Sequence, residues 1–332
     1  MAVSMMTRDN TFDIMKGIGI LLVLLGHTWG IPITNHVIRS FHMPLFFIIA
    51  GYFSHSYSDY EPSQVPTAIG HYAKRLIPPF ILTTILTILW CVLMAFSKGD
   101  WYPVITQTLS LFWADVCTLP TPWGGVGIGV VWFLLALFWA KTFLLLLSRW
   151  ERWVLPISFL LSITALLLHS VVPYSVWCIS LGLVALPFVT IGWWLRTHHL
   201  PWWGGVVCVA CWIVAMLYSS LDMYAYTYDC YPLDVVGACG GTLCIYWFSC
   251  GINKISGIGK YIPMALSYLG RISLAIMCVH CFEMASHLGS HLVALTPWAP
   301  LPIWGMYIFR HTLTILLAIV VVNIPYLKKV FV

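Results

Sequence analysis

The sequence predicts an all-α fold: a polytopic bundle of about ten membrane-spanning helices with both termini in the cytoplasm. Three observations predict it. First, the 332 residues are 61% hydrophobic and only 8% charged, where a soluble domain carries about 25% charged residues. Second, the apolar residues come in runs close to the length of about 20 that crosses a bilayer as a helix. Third, lysine and arginine collect in alternate loops, as the positive-inside rule requires. No polar block is long enough to form a second, soluble unit, so residues 1–332 read as a single transmembrane domain. The net charge of +5 then reports topology rather than a nucleic-acid-binding patch.

The expected spans are residues 12–30, 39–56, 76–97, 124–147, 153–171, 174–195, 202–220, 234–251, 264–287 and 301–325. The first begins late, carries Asp13 and Lys16 and lacks a small-residue cleavage site. It is therefore expected to remain as a span rather than be removed as a signal peptide. The amphipathic stretch 103–115 is expected to lie at the interface. Loops on the N-terminal side hold Arg8, Lys74, Arg75, Arg149, Arg152, Arg196, Lys254, Lys260, Lys328 and Lys329. The opposite loops hold little more than Arg39 and Lys98, and collect Asp100, Asp115, Asp222, Asp229 and Asp234 instead.

Span one holds the most unusual residues. Asp13 and Lys16 are one turn apart. Lys16 and His27 are eleven residues apart, about three turns, so they share a face about 16 Å apart along the axis. Ionisable groups inside a membrane segment are costly and by default mark a functional path. The alternative is that Asp13 and Lys16 only start the helix at the interface, with Lys16 snorkelling. Span two re-enters with Arg39 and His42 at about the depth of His27. Pro44 sits in its first turn, where a missing N–H is tolerated. Arg39 as a surface residue and His42 as an interfacial turn histidine are the competing readings.

Lys74 and Arg75 meet the membrane directly before Leu-Ile-Pro-Pro79. They anchor the chain, and cations placed there also suit phosphate groups. Span four opens on Gly124-Gly-Val-Gly-Ile-Gly and Trp132, glycines that allow close helix contact. Trp132 either packs or stacks on a ligand. Cys208 and Cys211 have Cys-x-x-Cys spacing, but in mid-membrane and without a neighbouring His or acid. Packed thiols are expected there rather than a metal or redox site. Cys230 and Cys239 flank a polar loop, and spacing does not decide whether they pair. His198 and His199 are assigned no chemistry. Span nine carries His280 and Glu283, and span ten carries Arg310. These three can meet at mid-depth, as an ion pair holding the last spans together or as part of a substrate site.

Asp13-x-x-Lys16, ten residues and His27 resemble the first-helix signature of the acyltransferase 3 family of integral membrane acyltransferases. Phe41-His-Met-Pro-Leu-Phe-Phe-Ile-Ile-Ala-Gly-Tyr52 is similar to that family's second-helix motif. The Lys-Gly-Ile-Gly-Ile and His-Met-Pro forms are closest to the fucose 4-O-acetylase-like branch. Lys74-Arg-Leu-Ile-Pro-Pro79, Trp132-Phe-Leu134 and Gly270-Arg-Ile-Ser-Leu274 before His280 extend the likeness along nearly the whole chain. The family often has Arg-x-x-Arg where this chain has Tyr72-x-x-Arg75, so that motif matches in part.

The resemblance implies transfer of an acyl group, commonly acetyl, from cytoplasmic acyl-CoA to a sugar hydroxyl of a lipid-linked or cell-surface glycan. No bound cofactor is implied; acetyl-CoA or another acyl-CoA is a co-substrate. His27 has the intrinsic pKa of a general base. Asp13 and Lys16 join His27 as candidate catalytic residues, and Lys16, Lys74 and Arg75 are placed for the donor. Arg39, His42, Trp132, His280, Glu283 and Arg310 are candidates for the acceptor or the oxyanion. The expected compartment is the cytoplasmic membrane of the cell. Two other classes stay open: a secondary transporter or glycan exporter with a His/Glu/Arg proton relay, and a membrane scaffold. No internal repeat of the kind transporters show is visible.

Overall fold

The computed structural model describes residues 10–27, 32–113, 128–172, 175–296 and 301–331. In chain order the helices are α1 (Thr11–Gly26), α2 (Pro32–Arg39), α3 (His42–Tyr52), α4 (Val65–Lys98) and α5 (Tyr102–Trp113). Then come α6 (Trp132–Leu147), α7 (Glu151–Val171), α8 (Ile179–Leu195) and α9 (Trp202–Tyr218). A two-strand hairpin, β1 (Leu221–Asp222) with β2 (Thr227–Tyr228), leads to α10 (Tyr231–Asn253). The chain ends with α11 (Tyr261–Arg271), α12 (Ser273–Ser286), α13 (Leu288–Ala294), α14 (Ile303–Asn323) and α15 (Pro325–Phe331).

The fold is all-α, and the expected count of ten spans is not confirmed by length and composition among the described residues. Among the described residues six helical stretches qualify, or seven if the pair bent by 67° about Ile272 is one span. Particular helices account for the difference. With 16 and 17 residues, α1 and α9 fall short. Only the turn Ser148–Trp150 separates α6 from α7, so they form one stretch, Gly129–Val171. The span expected at 39–56 is matched by the qualifying stretch His36–Asp59, although the helix breaks at Ser40 and Phe41. Pro44 explains the break, because its ring would clash with the carbonyl four residues back, at Ser40, if the helix ran through. The span expected to start at residue 76 begins eleven residues earlier, at Val65. Pro78 and Pro79 lie inside it, and Thr83 donates its hydroxyl back to the Pro79 carbonyl (2.8 Å). Cys230 and Cys239 are both free thiols.

Two backbone contacts fix the helices that matter for the site. On α1, a Cβ at Gly17 would collide with the Leu266 carbonyl of α11, and one at Gly270 of α11 would collide with the Asp13 carbonyl. The glycine pair lets the two backbones touch, as small residues do between membrane helices. In the same way Gly51 of α3 meets the Val189 carbonyl of α8, and Gly192 of α8 meets the Ile48 carbonyl. The core between them holds Phe47, Phe80, Leu134, Leu135, Leu181 and Phe188, all fully buried. The outward faces of α4, α7 and α14 expose Leu89, Leu93, Leu160, Leu167, Leu316 and Val320, the side chains a lipid-facing surface requires. The chain is a multi-pass membrane protein.

Candidate active site

Helix α1 sets out its polar groups by helical count. Lys16 Nζ lies 2.7 Å from Asp13 Oδ1, an ion pair one turn apart. Asp13 is buried, and Lys16 keeps 29% of its side chain accessible. His27 stands just past the last residue of α1, with its N–H bonded to the Leu24 carbonyl at 3.3 Å. Asp13, Lys16 and His27 all line one cavity of about 970 Å³.

The two ends of that cavity differ in chemistry. At the His27 end stand His42, Arg39 and Trp132, with Asp222 and Tyr224 from the β1–β2 hairpin. At the Lys16 end stand Asp13, Tyr72, Arg75 and Lys141. Between them the wall is apolar, with Ile20, Val23, Phe46, Ile49, Leu134 and Leu137. Nine residues of α6 separate Trp132 from Lys141, roughly 14 Å along its axis, much like the 16 Å rise from Lys16 to His27 on α1.

His42 has its protons assigned by geometry. Its Nδ1 is 2.8 Å from the Ile38 carbonyl. A carbonyl only accepts, so Nδ1 donates, and Nε2 of the neutral ring carries the lone pair. Arg39 Nη1 donates to Asp222 Oδ2 at 2.7 Å. Asp222 Oδ1 accepts from the backbone N–H of Tyr224 at 3.1 Å, shaping the hairpin turn. The rings of Trp132 and Tyr224 are 6.4 Å apart. The hairpin is thus tied across the His27 end by a charge pair and an aromatic contact.

The structure does not bring all the sequence candidates together. Lys74 is exposed and does not line the cavity, because it falls on the other side of α4 from Tyr72 and Arg75. His280, Glu283 and Arg310 also stand off the cavity wall. His280 is 1% exposed, its ring 5.2 Å from His27 and 6.1 Å from His311. Neither of its ring nitrogens has a hydrogen-bond partner among the described residues. Glu283, also 1% exposed, takes a bidentate pair from Arg310 at 2.7 and 2.9 Å. Their positions suit helix packing behind the site better than contact with a substrate. Gly124, Gly125 and Gly127 lie outside the described residues. No group of three or more His, Cys, Asp or Glu is arranged to hold a metal among the described residues.

Three cavity residues escape a reading from motifs: Lys141, Asp222 and Tyr224. Lys141 had a signal, since it is the lone charged residue of α6, Trp-Phe-Leu-Leu-Ala-Leu-Phe-Trp-Ala-Lys141 onward, and a lone intramembrane cation is a functional hint. Asp222 and Tyr224 had none. Asp222 reaches Arg39 across 183 positions of sequence.

This cavity, with its histidine end and its cationic end, coincides with a family assignment. The model of the acyltransferase domain family matches residues 9–327. The chain belongs to the acyltransferase 3 family. Nodulation protein NolL of Mesorhizobium japonicum is 26% identical over 228 residues, covering 64% of this chain and 54% of that protein. NolL of Sinorhizobium fredii is 33% identical over 102 residues, 27% of this chain and 25% of the relative. The chain thus spans about half the length, or less, of these relatives. No solved structure matches it.

Proposed function

We propose that this protein is an O-acyltransferase, most simply an O-acetyltransferase, that moves an acyl group from acyl-CoA to a sugar hydroxyl across the length of its cavity. The observation that carries the reading is the polarity of one continuous cavity: cations at the Lys16 end, an apolar middle, and two histidines at the far end. An anionic carrier suits the first, a pantetheine arm and acyl chain the second, and a hydroxyl nucleophile the third. The donor enters from the cytoplasmic side and the acceptor from the other. The glycan is lipid-linked or at the cell surface, and the membrane is the cytoplasmic membrane.

His27 is the general base. The acceptor O–H gives its proton to the His27 ring as the oxygen attacks the thioester carbonyl. A C–O bond forms and a tetrahedral oxyanion results. On collapse the C–S bond breaks, the thiolate leaves, and the proton passes from His27 to sulfur, so protons balance over the cycle. Arg39, whose guanidinium lies at this end, and the remaining donors around His27 stabilise the oxyanion or the acceptor. His42 Nε2, with its partner nitrogen fixed on the Ile38 carbonyl, accepts a second sugar hydroxyl. Trp132 and Tyr224 offer ring faces to the sugar. Lys16, held by Asp13, and Arg75 take the anionic part of the donor.

The test is release of free CoA from acetyl-CoA by the purified, reconstituted protein, with and without a panel of sugar acceptors. Acceptor-dependent CoA release with acylated sugar as product is expected. Folded protein that neither consumes acetyl-CoA nor acylates any sugar contradicts the proposal.

A further inference from the structure

We infer that Lys141 binds a phosphate group of the donor, which makes the Lys16 end of the cavity a subsite for a polyphosphorylated nucleotide carrier. The inference rests on the acyl-CoA reading above and adds a residue to it that no motif marks.

Lys141 lies midway along α6, the one charged residue of an otherwise mostly apolar helix. It lines the cavity. Its ammonium stands 4.6 Å over the Tyr72 ring. No carboxylate pairs with it among the described residues, whereas Lys16 has Asp13 and Arg310 has Glu283. A cation–π contact contributes up to about 2 kcal/mol. Taking an ammonium out of water costs several kcal/mol even after relaxation. The ring alone therefore does not account for a lysine here; an anion does.

The surroundings say which kind. Arg75 is one turn beyond Tyr72 on α4 and also lines the cavity. With Lys16, three cations face this end against the single carboxylate of Asp13. The excess is positive, so the ligand is an anion with more than one charge. Lysine grips phosphate as a point charge with three donors. The subsite lies about 14 Å along α6 from Trp132, the separation an extended pantetheine arm must bridge to bring a thioester to His27. A neutral or singly charged acyl donor would leave these cations unmatched.

The experiment compares wild-type protein with Lys141→Met and Lys141→Arg in nanodiscs of zwitterionic lipid. Equilibrium binding is measured for CoA and for pantetheine, which lacks the phosphates. Lys141→Met is expected to bind CoA about 10- to 100-fold more weakly, the worth of a charged hydrogen bond, with pantetheine binding unchanged. Lys141→Arg should keep most of the CoA affinity. In wild-type protein, CoA and adenosine 3′,5′-bisphosphate should protect Lys141 from an amine-reactive reagent, read by mass spectrometry, and pantetheine should not. This second measurement holds even if a variant fails to fold. Equal CoA affinity in Lys141→Met, or equal losses for CoA and pantetheine, overturns the inference, as does unprotected Lys141 at saturating CoA. Wild-type protein that binds no CoA would instead remove the acyl-CoA reading and this subsite with it.

Discussion

Removing Arg310 should damage the fold more than removing Arg310 and the charge of Glu283 together. Glu283 has 2% of its side chain exposed and Arg310 has 19%. The carboxylate also accepts the Gly289 backbone N–H at 3.3 Å. Arg310→Ala leaves that carboxylate in an apolar wall without a counter-charge, and breaking a buried pair this way costs about 3–5 kcal/mol. At about 2 °C per kcal/mol for a chain of this size, the melting point should fall roughly 6–10 °C. Glu283→Gln/Arg310→Ala removes the stranded charge and keeps an oxygen for Gly289, so it should recover at least half of that loss. Glu283→Gln alone should cost less than Arg310→Ala, because the stranded guanidinium has some access to solvent. The assay is thermal unfolding in detergent, read with a thiol-reactive fluorophore. Cys278 and Cys281, buried on α12 beside the pair, report its opening. A double variant as unstable as Arg310→Ala would refute the reasoning.

Three further outcomes follow from the fold. Gly270→Val puts a branched side chain into the Asp13 carbonyl and the Gly17 nitrogen, so it should displace α1, cost more than the about 1–3 kcal/mol of ordinary overpacking, and reduce CoA binding together with stability in the same melt and binding assays. Asp222→Asn removes the charge that holds Arg39 but keeps an oxygen for the hairpin turn; it should raise KM for the acceptor several-fold with little change for acetyl-CoA, and an unchanged acceptor KM would detach the hairpin from acceptor binding. Single cysteines introduced at Ala225 and at His198 into a cysteine-free background should react with impermeant thiol reagents from opposite faces, outside and cytoplasmic respectively; labelling both from one face would undo the proposed orientation.

Much of this was visible in the sequence because it is local. Asp13, Lys16 and His27 lie on one helix, where spacing alone gives their face and separation. Glu283 and Arg310 were legible as a pair because two charges at similar depth in adjoining spans need each other. The helix count was less legible. It depends on the run-on of α6 into α7 through a three-residue turn, which does not change average hydrophobicity. The rest of the site depends on tertiary contacts. Asp222 looked like an ordinary charge in an outer loop until the hairpin folded it onto Arg39. Lys74 and Arg75 are adjacent in sequence, and only the rotation of α4 puts Arg75 alone on the cavity. Lys141 escapes a count of loop cations because it lies within a span.

The central claim is that His27 takes the acceptor's proton, and His27→Asn tests it most directly. Asparagine keeps a hydrogen-bonding side chain at the end of α1 but has no basic nitrogen. Acyl transfer from acetyl-CoA to a sugar acceptor should be measured on folded protein whose melting curve matches wild type and whose CoA affinity is intact. General-base catalysis contributes about 10²–10⁴-fold, so kcat should drop by about that factor with KM for acetyl-CoA little changed. Turnover at the wild-type rate in that protein would contradict the account and move the base to His42, whose Nε2 is the other free imidazole nitrogen fixed at that end of the cavity.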